Sequence, residues 1–149
     1  MEIKSIKSIF NTDNHTLLSY YKDSIINLLS QLTTCQKLSL DDLINLVSIL
    51  PDNHHIILLF DNMKIIGMAT LLIEQKIIHN GYCVGHIEDV VIDNYHKGCG
   101  YGKVLIDHLT LLCKEKNCYK IILHCNEKVI KFYENCGFTK KTNGMALYL

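Results

Sequence analysis

Three glycines at alternate positions, in Lys97-Gly98-Cys99-Gly100-Tyr101-Gly102-Lys103, separate a Val- and Ile-rich run ending near Asp93 from a helix-period stretch reaching about Asn117. Strand, glycine turn and helix in that order are the first half of a crossover, and the apolar run Tyr119–Cys125 supplies the strand a parallel partner requires. The chain is therefore expected to be α/β. Its glycines are few, eight in 149 residues with the single Pro51, so a cluster of three marks a place where the backbone itself is used.

The remaining elements follow from periodicity. Ile3–Phe10 alternates loosely and reads as a first strand. Leu17, Leu18, Tyr21, Ile25, Leu28, Leu29 and Leu32 recur at helical spacing from His15 to Gln31, after the Asn11–Asn14 turn cluster. Ser39-Leu40-Asp41-Asp42 reads as an N-cap with acids in the first turn, opening a helix striped by Leu43, Leu46, Val47 and Leu50 and closed by Pro51. His54–Phe60 and Lys64–Gln75 are β-type runs joined by Asp61-Asn62-Met63, which is hairpin chemistry. Tyr82–Asp93 follows the turn signal Asn80-Gly81. Lys128–Cys136 reads as a short helix stopped by Gly137, and Phe138–Lys141 and Met145–Leu149 are expected as closing strands around Thr142-Asn143-Gly144.

One domain, residues 1–149, is expected from this length, with 48% hydrophobic and 20% charged residues to build its core and surface. Fifteen lysines balance fifteen acids, so no global field favours nucleic acid, and with no arginine present anions must be held by ammonium groups and backbone N–H groups. The seven scattered cysteines and the opening MEIKSIKSIF, which lacks a signal-peptide pattern, point to reduced thiols and a cytoplasmic location. The apolar runs are too short to span a bilayer. Cys113-x4-Cys118 with His124-Cys125 spreads over a helix, its end and two faces of a strand, so no metal is expected.

Glycines spaced in this way let a ligand approach the backbone closely, with several N–H groups and a helix N-terminus aimed at it, which suits a diphosphate. A Walker A loop is excluded because Val104 follows Lys103 where Ser or Thr is needed, and a dinucleotide fingerprint fails because the third glycine comes one place early.

Lys97-Gly98-Cys99-Gly100-Tyr101-Gly102 resembles the pyrophosphate loop of the GNAT acetyltransferases, with lysine at the first place. Lys76-Ile77-Ile78-His79, Gly85-His86-Ile87-Glu88-Asp89-Val90-Val91-Ile92, Gly100-Tyr101-Gly102-Lys103, Asn117-Cys118-Tyr119-Lys120 and Phe132-Tyr133-Glu134-Asn135-Cys136-Gly137-Phe138 occur in order and together resemble the glucosamine-6-phosphate N-acetyltransferase branch. The resemblance implies a mixed, mostly antiparallel sheet with one splayed strand pair, flanked by helices, in a homodimer. It implies acetyl transfer from acetyl-CoA to the amine of glucosamine 6-phosphate by direct attack, without an acyl-enzyme. Another small-molecule or protein amine as acceptor, or a non-catalytic acyl-CoA-binding module, stays open.

For the site, the resemblance implies catalytic roles for Glu88, Asp89 and Tyr133, with His124 at a position the branch fills with an acid. It implies cofactor contacts at Val90, Val91, Ile92, Lys97, Gly98, Cys99, Gly100, Tyr101, Gly102, Lys103, Tyr133, Glu134 and Asn135. Substrate contacts are implied at Thr33, Lys76, Ile77, Ile78, His79, Glu88, Asp89, Val90, Tyr119, Lys120 and His124. Val129 stands where an asparagine is common, and the C-terminal Ala146-Leu147-Tyr148-Leu149 lacks an arginine the branch commonly carries. The residues add one demand of their own. On a regular strand Glu88 and Asp89 point to opposite faces, so both can serve one site only if the strand is bulged or splayed there.

Overall fold

Strand order follows chain order. A computed structural model describes residues 1–35, 37–141 and 145–147, and among these the sheet has five strands, β1 (Glu2–Ser5), β2 (His54–Asp61), β3 (Lys64–Gln75), β4 (Cys83–Ile92) and β5 (Cys118–Leu123), arranged β1-β2-β3-β4-β5. The first three pairings are antiparallel and β4–β5 is parallel, as the strand, glycine turn and helix require. The β2–β3 hairpin turns at Asn62, whose φ of 53° is a left-handed value that asparagine accepts.

Helices cover both faces. On one side lie α1 (Ile6–Ile9), α2 (His15–Leu29) and α3 (Leu40–Ser48), which close a core around Leu18, Tyr21, Ile25, Leu28, Leu43, Leu58, Phe60 and Met68. On the other lie α4 (Tyr101–Glu115) and α5 (Ile130–Asn135), packed through Leu105, Ile106, Leu109 and Phe132 against Leu59, Ile66, Leu71 and Ile87. The helix starts are those the sequence marks. Asn14 caps α2 by accepting from Leu17 N–H, and Ser39 and Asp42 complete a reciprocal capping box on α3. Gly137, at φ 91°, ends α5 with two bonds that satisfy its last carbonyls, Gly137 N–H to Glu134 O at 2.9 Å and Phe138 N–H to Tyr133 O at 3.0 Å.

Two expectations are corrected. The first strand stops at Ser5, and Ile6–Ile9 forms a helical turn that buries Ile6 and Ile9; a four-residue apolar pair fits either period, and packing against α3 decides it. Phe138–Lys141 and the described part of the last segment, 145–147, pair with no strand, and a segment without a ladder partner has nothing to hold it extended. Thr142-Asn143-Gly144, Tyr148 and Leu149 lie outside the described residues.

At the edge of this core, His55 on β2 carries a buried Nε2 with no hydrogen-bond partner among the described residues. Burial, then the charges of Lys116, Lys7 and His54, push its pKa below the ordinary histidine value, against a smaller opposing effect of Asp52. The unfolded chain therefore binds a proton that the folded one refuses. Stability is expected to be full above about pH 6.5, to fall as the pH drops below that value, and to level off below the depressed folded pKa. Thermal melts from pH 5 to 8 should show this slope, and His55→Leu should flatten it; an unchanged slope in the variant would assign the effect elsewhere.

Candidate active site

The β4 ladder breaks where the two carboxylates require it. Thr70 pairs with Glu88 and Met68 with Val91, so Asp89 and Val90 together face the single residue Ala69, and Asp89 adopts φ 52°. This is a β-bulge. The β5 ladder ends at the same level, with Ile87↔Leu123 as its last pair, while β4 runs on to Ile92. Residues 88–92 thus have an open edge on the β5 side, and a wedge-shaped cleft of about 730 Å³ occupies it.

Residue parity decides from which side of the sheet each seam residue reaches the cleft. Gly85 and Ile87 face α4, since a Cβ on Gly85 would meet Cys113 of that helix and Ile87 packs in its core. Glu88 therefore points to the opposite face, as does His124, one residue beyond Leu123 on the other side of the seam. Both line the cleft, joined by Asp89, whose backbone the bulge has re-aimed. Tyr133 enters from α5, with its ring fixed edge-on between Phe132 at 4.9 Å and Phe138 at 5.9 Å. Burial, with smaller contributions from Cys125, Cys136 and Glu88, pushes its phenol up to about 12. Tyr133 thus keeps its proton throughout the neutral range and can donate it.

The glycine loop floors the cleft. Gly98 and Gly100 take φ of 79° and 83°, values that L side chains rarely adopt, and Gly100 opens α4 from the left-handed region. Gly102 serves packing instead, since a Cβ there would lie 3.0 Å from the Phe132 ring. The first N–H groups of α4 have no carbonyl before them to bond and face this end of the cleft. Lys97 and Lys103 line the same end, Lys103 bound to Asp107 at 2.5 Å.

Glu88, Asp89, Val90, Ile92, Lys97, Gly98, Gly100, Tyr101, Gly102, Lys103, His124, Tyr133 and Asn135 therefore come together as cleft-lining residues. Val91 does not line it, because its side chain is buried on the α2 side, although its backbone borders the open edge. Cys99 and Glu134 are exposed outside the lining. Thr33 is exposed after α2, and it is Leu32 from that segment that reaches the cleft. Lys76, Ile77, Ile78, His79, Tyr119 and Lys120 collect at the other end of β4–β5, where the His79 and Tyr119 rings lie 4.4 Å apart and Lys76 is bound to Glu74 at 2.5 Å. None of them lines the cleft that holds Glu88.

Several lining residues escaped sequence reasoning, among them Leu32, His96, Cys125, Asn126, Phe132 and Cys136. His96 adjoins the glycine loop and Asn126 precedes a helix-like turn, which it caps through Lys128 N–H; those are the only signals the sequence offers for them. Among the described residues no three His, Cys, Asp or Glu side chains converge in a way that could hold a metal ion.

A bulged strand parting from its parallel neighbour over a glycine loop is the architecture of an acetyltransferase domain. The chain belongs to the acetyltransferase (GNAT) family, which residues 16–138 match, and membership implies acetyl-CoA as the cosubstrate. Glucosamine 6-phosphate N-acetyltransferase of Trypanosoma brucei brucei is 45% identical over 86 residues, 58% of this chain and 58% of that protein, so the match spans little more than half of that relative. A probable glucosamine 6-phosphate N-acetyltransferase 2 of Oryza sativa subsp. japonica is 33% identical over 135 residues, 86% of this chain and 81% of that one. The crystal structure of glucosamine-6-phosphate N-acetyltransferase from Arabidopsis thaliana superposes with a TM-score of 0.86 at 30% identity, covering 99% of this chain and 97% of that chain.

Proposed function

We propose that this protein transfers the acetyl group of acetyl-CoA to the amine of glucosamine 6-phosphate, giving N-acetylglucosamine 6-phosphate for amino-sugar nucleotide synthesis. The observation that carries the reading is the seam, where Glu88, His124 and Tyr133 stand on the walls of one cleft whose floor is the Gly98–Gly102 loop. The relatives' names supply the acceptor. In this reading the pyrophosphate rests on the Gly98–Gly102 backbone, and the pantetheine arm lies along the open edge of β4. The acyl carbon then meets an amine held near Glu88.

The chemistry follows from those positions. The amine must lose a proton to attack, and Glu88 accepts it directly or through water, with Asp89 and His124 orienting the sugar. A new N–C bond forms as the C–S bond breaks. A backbone N–H freed by the bulge near Asp89 or Val90 stabilises the oxyanion, and Tyr133 gives its proton to the departing thiolate. Tyr133→Phe is expected to lower turnover about 10²-fold with little change in acetyl-CoA affinity. Steady-state kinetics measure this, and an unaltered turnover would remove the acid from the scheme.

Lys76, His79, Tyr119 and Lys120 carry the cations and donors a sugar phosphate needs, yet lie away from the cleft of their own chain. A homodimer in which each copy brings this end toward its partner's seam fits that separation, and light scattering should report twice the 17.1 kDa chain mass. The deciding assay is release of free CoA thiol from acetyl-CoA with glucosamine 6-phosphate, glucosamine and a lysine peptide side by side. Response to the phosphorylated sugar alone supports the reading. Response to another amine replaces the acceptor, and tight CoA binding without turnover makes the protein a binding module.

A further inference from the structure

Asp93, just past β4, is a buried carboxylate, only 6% exposed. Its Oδ2 lies 2.9 Å from Lys64 Nζ and 3.5 Å from His96 Nδ1, and its Oδ1 accepts Tyr95 N–H at 3.0 Å. Burial pushes its carboxyl up, but the Lys64 bond, the Tyr95 amide and the charges of Lys64 and His96 outweigh that and hold it below the usual carboxylate range. Asp93 is therefore a fixed negative charge behind the cleft wall.

His96 stands between that charge and the glycine loop. Its Nδ1 is sealed from solvent with no hydrogen-bond partner among the described residues, and the oxygen 3.5 Å from it, Asp93 Oδ2, can only accept. A lone pair there would be repelled, so Nδ1 carries the ring's proton. His96 lines the cleft beside Lys97 and Gly98, and with Nδ1 closed off Nε2 is the ring nitrogen left to meet a ligand there. In the neutral ring Nε2 holds a lone pair, which is the wrong polarity to meet a phosphate. One proton from solvent turns it into a donor.

We propose that His96 is a proton-loaded contact for the cofactor's pyrophosphate, with Asp93 as the positioning residue that stabilises the imidazolium. The inference rests on the acetyl-CoA reading above. The groups facing His96 set the balance. From β3, Lys64 competes for Asp93; from the loop, Lys97 opposes a second positive charge; from α4 come Tyr101, its ring 6.1 Å away, and Lys103, already neutralised by Asp107. Glu88, Asp89, His124, Cys125, Tyr133 and Cys136 are the other titratable groups that line the cleft. The negative charge that arrives with the ligand is what tips the ring toward its charged form, so binding and proton uptake are coupled. In a chain without arginine this adds a switchable cation where only lysines adjoin the loop.

The test is calorimetric titration of the full chain with CoA and with 3′-dephospho-CoA near neutral pH, in two buffers of different ionisation enthalpy. Wild type should take up part of a proton per ligand. His96→Gln should take up less and bind about tenfold more weakly, by the same factor for both ligands. Asp93→Asn, which keeps the ring but removes its counter-charge, should also lose uptake, with thermal melts reporting that each variant is folded. Uptake absent in wild type overturns the proposal without any variant, and uptake and affinity unchanged in His96→Gln overturn it too. A loss confined to CoA transfers the contact to the 3′-phosphate and overturns the pyrophosphate assignment. Failure of wild type to bind CoA at all defeats the acetyl-CoA reading itself, whereas binding and turnover equal in wild type and His96→Gln defeat only this inference.

Discussion

Glu88→Gln is expected to reduce turnover by about 10³-fold, within the range for loss of a positioned general base, while leaving acetyl-CoA affinity intact. The amide keeps the volume and can still accept a hydrogen bond through its carbonyl, but it cannot hold the proton an attacking amine must shed. The separation of kcat from KM is what gives the test its force. Glu88 stands at the last paired position before the bulge, on the face away from α4, whereas the glycine loop and its lysines follow the end of β4 at Ile92. Removing its charge should therefore spare the cofactor. A variant with full turnover would leave His124 or a water chain as the base, and a variant that loses CoA binding would mean that the carboxylate shapes the seam.

Gly85→Ala is expected to destabilise the fold by about 1–3 kcal/mol through overpacking, seen as a drop in Tm of several degrees. The backbone of Gly85 is not left-handed, so the cost is steric alone. A Cβ there would lie 2.4 Å from Cys113 Sγ and 3.2 Å from Leu71 Cδ1. Cys113 is 1% exposed, and burial pushes its thiol up to about 12. Something must move, and α4 is the element behind it. Because α4 also carries the glycine loop at its start, the variant should weaken CoA binding along with stability. Cys113→Ala in the same chain relieves the contact, so the double variant should be more stable than the sum of the single effects. Additive losses, or a Gly85→Ala melt at the wild-type temperature, would contradict the packing argument.

Legibility in the sequence followed the range of the interaction. The capping box at Ser39 and Asp42, the Asn62 turn, the Gly98–Gly102 loop and the Gly137 stop each depend on residues within a few positions of one another, and each is where local chemistry demanded it. The break at Asp89 was legible for a different reason, because two adjacent carboxylates can serve one site only on an irregular strand. Ile6–Ile9 and Phe138–Lys141 were misread because a short apolar run fits either period and a strand exists only if a neighbour pairs with it. His96 was missed since its character comes from Asp93 and from Lys64, which is thirty-two positions earlier, at the start of β3.

By itself the sequence determined the glycine turn and the parallel crossover it opens, since these rest on local backbone conformation and the order of the elements, and the demand for a bulge, since neighbouring strand residues point to opposite faces. Tertiary structure alone decided that Glu88, His124 and Tyr133 share one cleft while Lys76 and Lys120 stand apart from it. The register between β4 and β5, which ends at Ile87 and Leu123, sets those distances, and register is a property of two strands meeting, written in neither of them.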